Sequence, residues 1–193
     1  MGNGIVNELK KEFDIRDEWV GFEIHPETPP AGMPLADLFP AEAVKGMHER
    51  LQEMGKQYGI EFDPQPNLSN SHLALEAGEY AKASGKFHEF HSAVFRAYFA
   101  DGKNIGDLEE LLNLAESAGM DREELSKALA EKRYAQNLRD TQKEARLYGI
   151  TGAPTFIINN RYKIVGAQPI EAFRQALAKI SQEADENTNR IGR

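Results

Sequence analysis

A chain of 193 residues, 40% of them hydrophobic, is long enough to bury one sizeable core and to carry an inserted subdomain. Its net charge of −8 argues against nucleic acid and against anionic membrane surfaces as partners. The sequence contains no cysteine, which excludes disulfide frameworks, thiolate metal sites and thiol catalysis by these residues. No apolar run approaches the roughly 20 residues of a membrane-spanning helix, and the N-terminus lacks the layout of a secretory signal. We therefore expect a cytoplasmic protein.

The N-terminal part of the chain predicts a helix, then a strand, then an irregular segment. Residues 4–13 carry apolar side chains at helical spacing, and residues 17–24 alternate as a strand with one buried face does. The segment 25–40 holds five prolines and cannot be regular over its length. The apolar positions behind the first two predictions are Ile5, Val6, Leu9 and Phe13 in the helix, and Val20, Phe22 and Ile24 in the strand.

Between residues 41 and 148 the sequence predicts one helix after another, with a break at 60–67, where Pro64 and Pro66 lie. Two of these helices begin with a pattern like a capping box, in which an aspartate precedes a glutamate by three residues. The two pairs are Asp107 with Glu110, and Asp121 with Glu124.

The stretch 149–167 is the most informative part of the chain. A loop reaches Ala153 and Pro154, and the nearly continuous apolar run 155–158 predicts a strand buried on both faces. Asn159-Asn160 tolerate positive φ and suit a tight hairpin turn. Residues 162–165 then alternate as a second strand.

A final helix is expected after this hairpin, because Pro169 can occupy the first position of a helix. The polar residues from 181 onward are expected to fray. We find no internal repeat and no low-complexity segment.

These motifs resemble the FrnE-type branch of the DsbA family of thiol–disulfide oxidoreductases. The resemblance implies an α/β fold, a thioredoxin-like domain with a large all-helical insertion. It divides the chain into a split thioredoxin-like domain at 1–40 and 145–183, a helical insertion at 41–144 and a polar C-terminal tail at 184–193. The matching segments are Gly-Ala-Pro-Thr-Phe at 152–156, Gly-Ala-Gln-Pro at 166–169, residues 22–30, and residues 67–72, 97–105 and 115–120 of the insertion.

The resemblance also implies a substrate site. In the thioredoxin-like architecture the bond before the loop proline is cis, so Ala153 and Pro154 are expected to present backbone groups to an extended peptide. The expected substrate-binding residues are Gly152, Ala153, Pro154 and Thr155, with His25 as a further candidate for lining the groove. A turn or capping role for His25, next to Pro26, is the structural alternative.

The departure from the family lies at the N-terminus. Family members open with a central strand that ends in C-x-x-C, and this chain resembles the family only from the residues after that motif. We therefore expect the first, central strand to be missing and no catalytic residue to be present in this chain. The strand at 155–158 would then have an unpaired apolar edge. Closure onto residues 19–24, a partner chain or water could fill the position, and we favour a homodimer through this edge.

The histidines His88 and His91 lie three residues apart and could share a metal ion. Phe87, Phe90, Val94 and Tyr98 define one helical face that includes His91. We therefore prefer a core histidine to a ligand, and we expect no metal site.

Three functional hypotheses follow. The first is a thiol–disulfide oxidoreductase that acts on an extended peptide or on a thiol or disulfide protein substrate and needs no cofactor. Its cysteines would lie upstream of Met1, so this chain by itself would be inactive. The second is a non-catalytic peptide-binding or scaffold remnant of the family. The third is a glutathione-dependent isomerase or transferase of a sister branch, for which glutathione would be the cofactor. The segment 22–30 fits the first better than the third.

Overall fold

The computed structural model describes the backbone of residues 1–191 and the side chains of residues 1–183. Within these limits the chain is mostly helical, with four short strands. In chain order the elements are α1 (Gly2–Leu9), β1 (Met33–Pro34), a 3₁₀ turn (Leu35–Asp37), α2 (Ala41–Lys56), β2 (Asn67–Leu68), α3 (His72–Ala83), α4 (Phe87–Phe99), α5 (Leu108–Ser117), α6 (Arg122–Ala130), α7 (Ala135–Leu147), β3 (Thr155–Ile158), β4 (Tyr162–Val165) and α8 (Ile170–Ile191).

The chain divides into two compact units. We call Met1–Trp19 together with the residues from Gly152 onward the terminal unit, and Val20–Thr151 the helical unit. In this division residues 20–40 and 145–151 belong to the helical unit, whereas the sequence predicted them to be part of the thioredoxin-like domain. The domain bounds expected from the sequence stay a prediction.

In the terminal unit, β3 and β4 form an antiparallel hairpin in which Thr155 lies opposite Val165 and Ile158 opposite Tyr162. The turn contains Asn159 and Asn160, with φ of 51° and 53°, a region that asparagine adopts more readily than most residues. The predicted hairpin is confirmed.

One face of this hairpin packs on α8. The ring centroids of Phe156 and Phe173 are 4.8 Å apart in an edge-to-face arrangement, and Phe173 is almost fully buried. Ile5 and Leu9 of α1 are also buried, which confirms these two positions of the predicted apolar face. The helix ends at Leu9, so the expected extension to residue 13 was wrong and Phe13 lies outside α1.

The helical unit has its own core, formed by one face of each of α3 to α6. Small residues of α3 let the neighbouring helices approach closely, and Phe90 of α4 and Leu111 of α5 fill the centre. The predicted caps are confirmed: Asp107 accepts a hydrogen bond from the backbone N–H of Glu110, and Asp121 accepts one from Glu124, each at 2.9 Å.

Three details differ from the predictions. No strand is assigned at 17–24, because alternation alone forms no ladder without a neighbouring strand; Val20 is 53% exposed. The run 155–158 is half-buried rather than buried on both faces, because β4 alone accompanies it in the sheet. α8 continues to Ile191 through most of the expected tail 184–193, since neither glycine nor proline interrupts it before residue 192; residues 192–193 lie outside the described part.

Among the helices of residues 1–191, none combines the length and the apolar composition that crossing a membrane requires.

Candidate functional site

The loop before β3 is fixed by hydrogen bonds from both sides. The Ala153–Pro154 peptide bond is cis, as the resemblance implied. The carbonyl oxygen of Pro154 accepts a hydrogen bond from the N–H of Gly166 at 2.8 Å. The Thr155 hydroxyl donates to the carbonyl oxygen of Gly152 at 2.7 Å. The structure thus brings four of the five predicted substrate-binding residues together in one braced turn.

The outer edge of this turn and of β3 is open for hydrogen bonding. Because Pro154 bonds to Gly166, the alternation of an antiparallel ladder directs the backbone groups of Phe156 toward β4 and those of Thr155 and Ile157 away from it. The N–H and C=O groups of Ala153, Thr155 and Ile157 have no backbone partner among residues 1–191. Ala153 is also solvent-exposed, so an extended peptide can reach the turn at this residue.

The N-terminus of α1 lies directly beside the proline. A Cβ atom added to Gly2 would lie 3.4 Å from Cβ of Pro154 and 3.7 Å from the rings of Phe156 and Trp19. The first N–H groups of a helix lack intrahelical partners and carry the positive end of the helix dipole. An anionic group that approaches Pro154 would therefore meet a favourable electrostatic environment. The sequence placed the start of this helix near Gly4, and the structure begins it two residues earlier, at Gly2.

Two charged contacts brace the segment that follows α1. Arg174 of α8 donates to the Glu12 carboxylate at 3.0 Å, and this hydrogen bond lowers the pKa of Glu12. Burial alone would raise the pKa of Asp17, but hydrogen bonds from Lys10 and from Trp19 Nε1 lower it overall. These contacts hold the irregular chain after α1 next to the site.

The fifth predicted residue, His25, belongs to the helical unit and lies on an exposed turn. Its Nδ1 is 2.9 Å from Oε1 of Glu27, and its carbonyl oxygen accepts the N–H of Thr28 at 3.1 Å. A backbone hydrogen bond and the contact with His25 lower the pKa of Glu27. These contacts are those of the turn-forming alternative, and the role of His25 in the groove stays a prediction.

His91 lies in an aromatic row along α4 whose members are four residues apart. Its ring stacks on Phe95 with centroids 4.3 Å apart and lies 5.4 Å from the ring of Phe87. The buried face of α4 is instead formed by Phe90, Val94 and Ala97. The single face expected from the sequence is therefore two faces in the structure. Burial, and next the charge of His88, lowers the pKa of His91 to about 4. Over the described residues, no cluster of three or more possible metal ligands occurs.

Sequence reasoning also missed a carboxylate inside the helical unit. Glu76 is 2% exposed and accepts a hydrogen bond from the backbone N–H of Tyr134, where α7 begins, at 3.3 Å. His72 lies between Glu76 Oε2, at 3.9 Å from its Nε2, and Glu23 Oε1, at 2.9 Å from its Nδ1. The signal was a glutamate between Ala74 and Ala77 on the buried face of α3. The arrangement ties the residue before α7 and residue 23 to α3, so it is structural.

A helix N-terminus against a cis-proline turn, with a β-hairpin and a helix behind it, defines a thioredoxin-like domain. Residues 2–178 match the family model described as the DSBA-like thioredoxin domain. The chain belongs to this family.

Known proteins are similar to this chain over most or part of its length. The uncharacterized protein YwbO of Bacillus subtilis (strain 168) is 33% identical over 182 residues, which cover 92% of this chain and 88% of YwbO. The thiol:disulfide interchange protein DsbA of Pseudomonas aeruginosa is 27% identical over 82 residues, which cover 42% of this chain and 39% of that protein. The crystal structure of the probable DsbA oxidoreductase SCO1869 from Streptomyces coelicolor matches with a TM-score of 0.85 at 27% identity, covering 94% of this chain and 84% of that one.

Proposed function

We propose that this protein works in thiol–disulfide exchange as a FrnE-type member of the family, and that its cis-proline loop holds an extended peptide of a thiol or disulfide protein. The observation that carries the proposal is the exposed residue Ala153, whose N–H and C=O groups have no backbone partner among residues 1–191 and which lies directly before the proline that contacts the N-terminus of α1. Main-chain groups of this kind bind a peptide by adding it to the sheet.

The chemistry of exchange explains why these two features belong together. A thiolate attacks a disulfide sulfur, and a helix N-terminus lowers the pKa of a nearby thiol so that the thiolate forms. The N-terminus of α1 offers that environment beside Pro154. Because none of the 193 residues is cysteine, exchange requires thiols from outside this sequence. The proposal places the protein in the cytoplasm.

Insulin reduction by dithiothreitol tests the proposal. The chain as given should leave the rate at background, since it can form neither a thiolate nor a disulfide. A fusion that adds an upstream strand ending in C-x-x-C directly before Met1 should accelerate the reaction. The matched control is the same fusion with serine in place of both cysteines, which should return the rate to background.

Two outcomes would count against the proposal. Catalysis by the unmodified chain would show that the mechanism is wrong. A folded C-x-x-C fusion that stays at background, but binds a labelled insulin B chain, would favour the second hypothesis, a peptide-binding protein without exchange activity. The absence of cysteine is the observation that favours this second function.

A further inference from the structure

The outer edge of β3 has a geometry that a second copy of the same chain can match. The backbone groups that point away from β4 belong to Thr155 and Ile157, two residues apart. If two such edges meet antiparallel with Phe156 opposite Phe156, Thr155 of each copy lies opposite Ile157 of the other. Both positions are then hydrogen-bonded pairs, because residues two apart on a strand share the same hydrogen-bonding direction.

The side chains of this strand raise no barrier to self-pairing. Residues 153–158 contain no charged side chain, so no like charges lie opposite each other where the two strands meet. The edge has no lysine, no proline inside the strand and no bulge, which are the devices that usually prevent edge pairing. Val165, opposite Thr155 on the same face of the hairpin, is 54% exposed and extends the apolar surface.

The small size of the sheet supplies the reason for pairing. β3 and β4 form a two-stranded sheet, and a two-stranded sheet is marginal in water unless further strands or a helix support it. α8 supports one face through Phe173, whereas the edge residues gain ladder hydrogen bonds only from another strand. We infer that two copies of this protein associate through their β3 edges, antiparallel about Phe156, into one continuous sheet. This inference goes beyond the proposed function, uses the edge groups of Thr155 and Ile157 rather than those of Ala153, and does not depend on exchange activity.

Light scattering coupled to size-exclusion chromatography tests the inference on the full chain over a range of concentrations. The mass should rise from 21.6 kDa toward twice that value as the concentration increases. Ile157→Lys places a charge at two symmetric edge positions and should weaken dimerisation roughly tenfold. The matched control is Val165→Lys, which adds the same charge to the same face on the other strand and should leave the dimer intact.

Folding and register are checked separately. Circular dichroism must show that both lysine variants retain the helical content of the parent chain. Because the chain has no cysteine, the double variant Thr155→Cys with Ile157→Cys should form interchain disulfides under mild oxidation, whereas Thr155→Cys alone should not. A monomer at every concentration would overturn the inference, and so would a dimer that resists Ile157→Lys and does not cross-link.

Discussion

Replacement of His91 by glutamine should remove part of the acid sensitivity of this protein. The His91 ring is half-buried against Phe87 and Phe95, and burial, followed by the charge of His88, lowers its pKa from 6.5 to about 4. A lowered pKa means that the folded state binds the proton less readily than the unfolded state does. His91 therefore costs no stability above about pH 6.5, and stability is lost as the pH falls from there toward 4.

The size of the effect follows from that shift. A pKa difference of this size, fully expressed, corresponds to about 3 kcal/mol of unfolding free energy. Solvent reaches part of the ring, so screening reduces the expected loss to about 1–2 kcal/mol. Below about pH 4 the ring is protonated in both states, and its contribution should stop changing.

Urea unfolding followed by circular dichroism from pH 7.5 to pH 4 measures this contribution as the difference between the parent chain and His91→Gln. That difference should change by about 1–2 kcal/mol across the window. The matched control is His88→Gln, which removes an exposed imidazole of the same helix and should change the profile by less than half as much. Parallel profiles for the parent chain and His91→Gln would refute the assigned burial of His91.

Two further predictions concern stability. Phe90→Ala should cost about 3–5 kcal/mol of unfolding free energy, measured in urea, because Phe90 is 1% exposed. Phe95→Ala on the same helix should cost less than about 1.5 kcal/mol, because Phe95 is 48% exposed. Equal costs would contradict the division of α4 into a buried and an exposed face. Asp121→Ala should cost about 1 kcal/mol through loss of the cap on Glu124 N–H, and Asp121→Asn much less. Equal losses for both would show that charge, not the cap, matters at this position.

Local chemistry made parts of this structure predictable from the sequence. The turn at Asn159 and Asn160 follows from their tolerance of positive φ, and the cap at Asp107 follows from a side chain that reaches a neighbouring N–H. The cis bond before Pro154 came from family resemblance, because a single X-Pro bond in a folded protein is far more often trans. The turn and cap signals act over a few residues and need no knowledge of the rest of the fold, whereas the cis bond was not predictable from local sequence.

The failures came from features that depend on distant partners. Alternation at 17–24 shows which side chains could share a face, but a strand also needs a neighbour for its backbone groups, and none is assigned there within residues 1–191. The position of His91 depends on the rotation of α4 in the helical unit, which a spacing of three or four residues does not fix. The buried carboxylate of Glu76 is satisfied by a backbone group 58 residues away, beyond the reach of any local pattern.

Peptide binding and exchange chemistry make separate demands on this protein. The N–H and C=O groups of Ala153 are main-chain groups without a backbone partner among residues 1–191, so binding depends on the fold of the loop and of β3 rather than on a reactive side chain. That fold rests on the packing of Phe156 against Phe173 and on the hydrogen bond between Gly166 and Pro154, and neither contact involves sulfur. Exchange instead needs a thiolate, which no residue here can supply. Binding of an extended peptide should therefore survive in the chain as given, and only catalysis should depend on added cysteines.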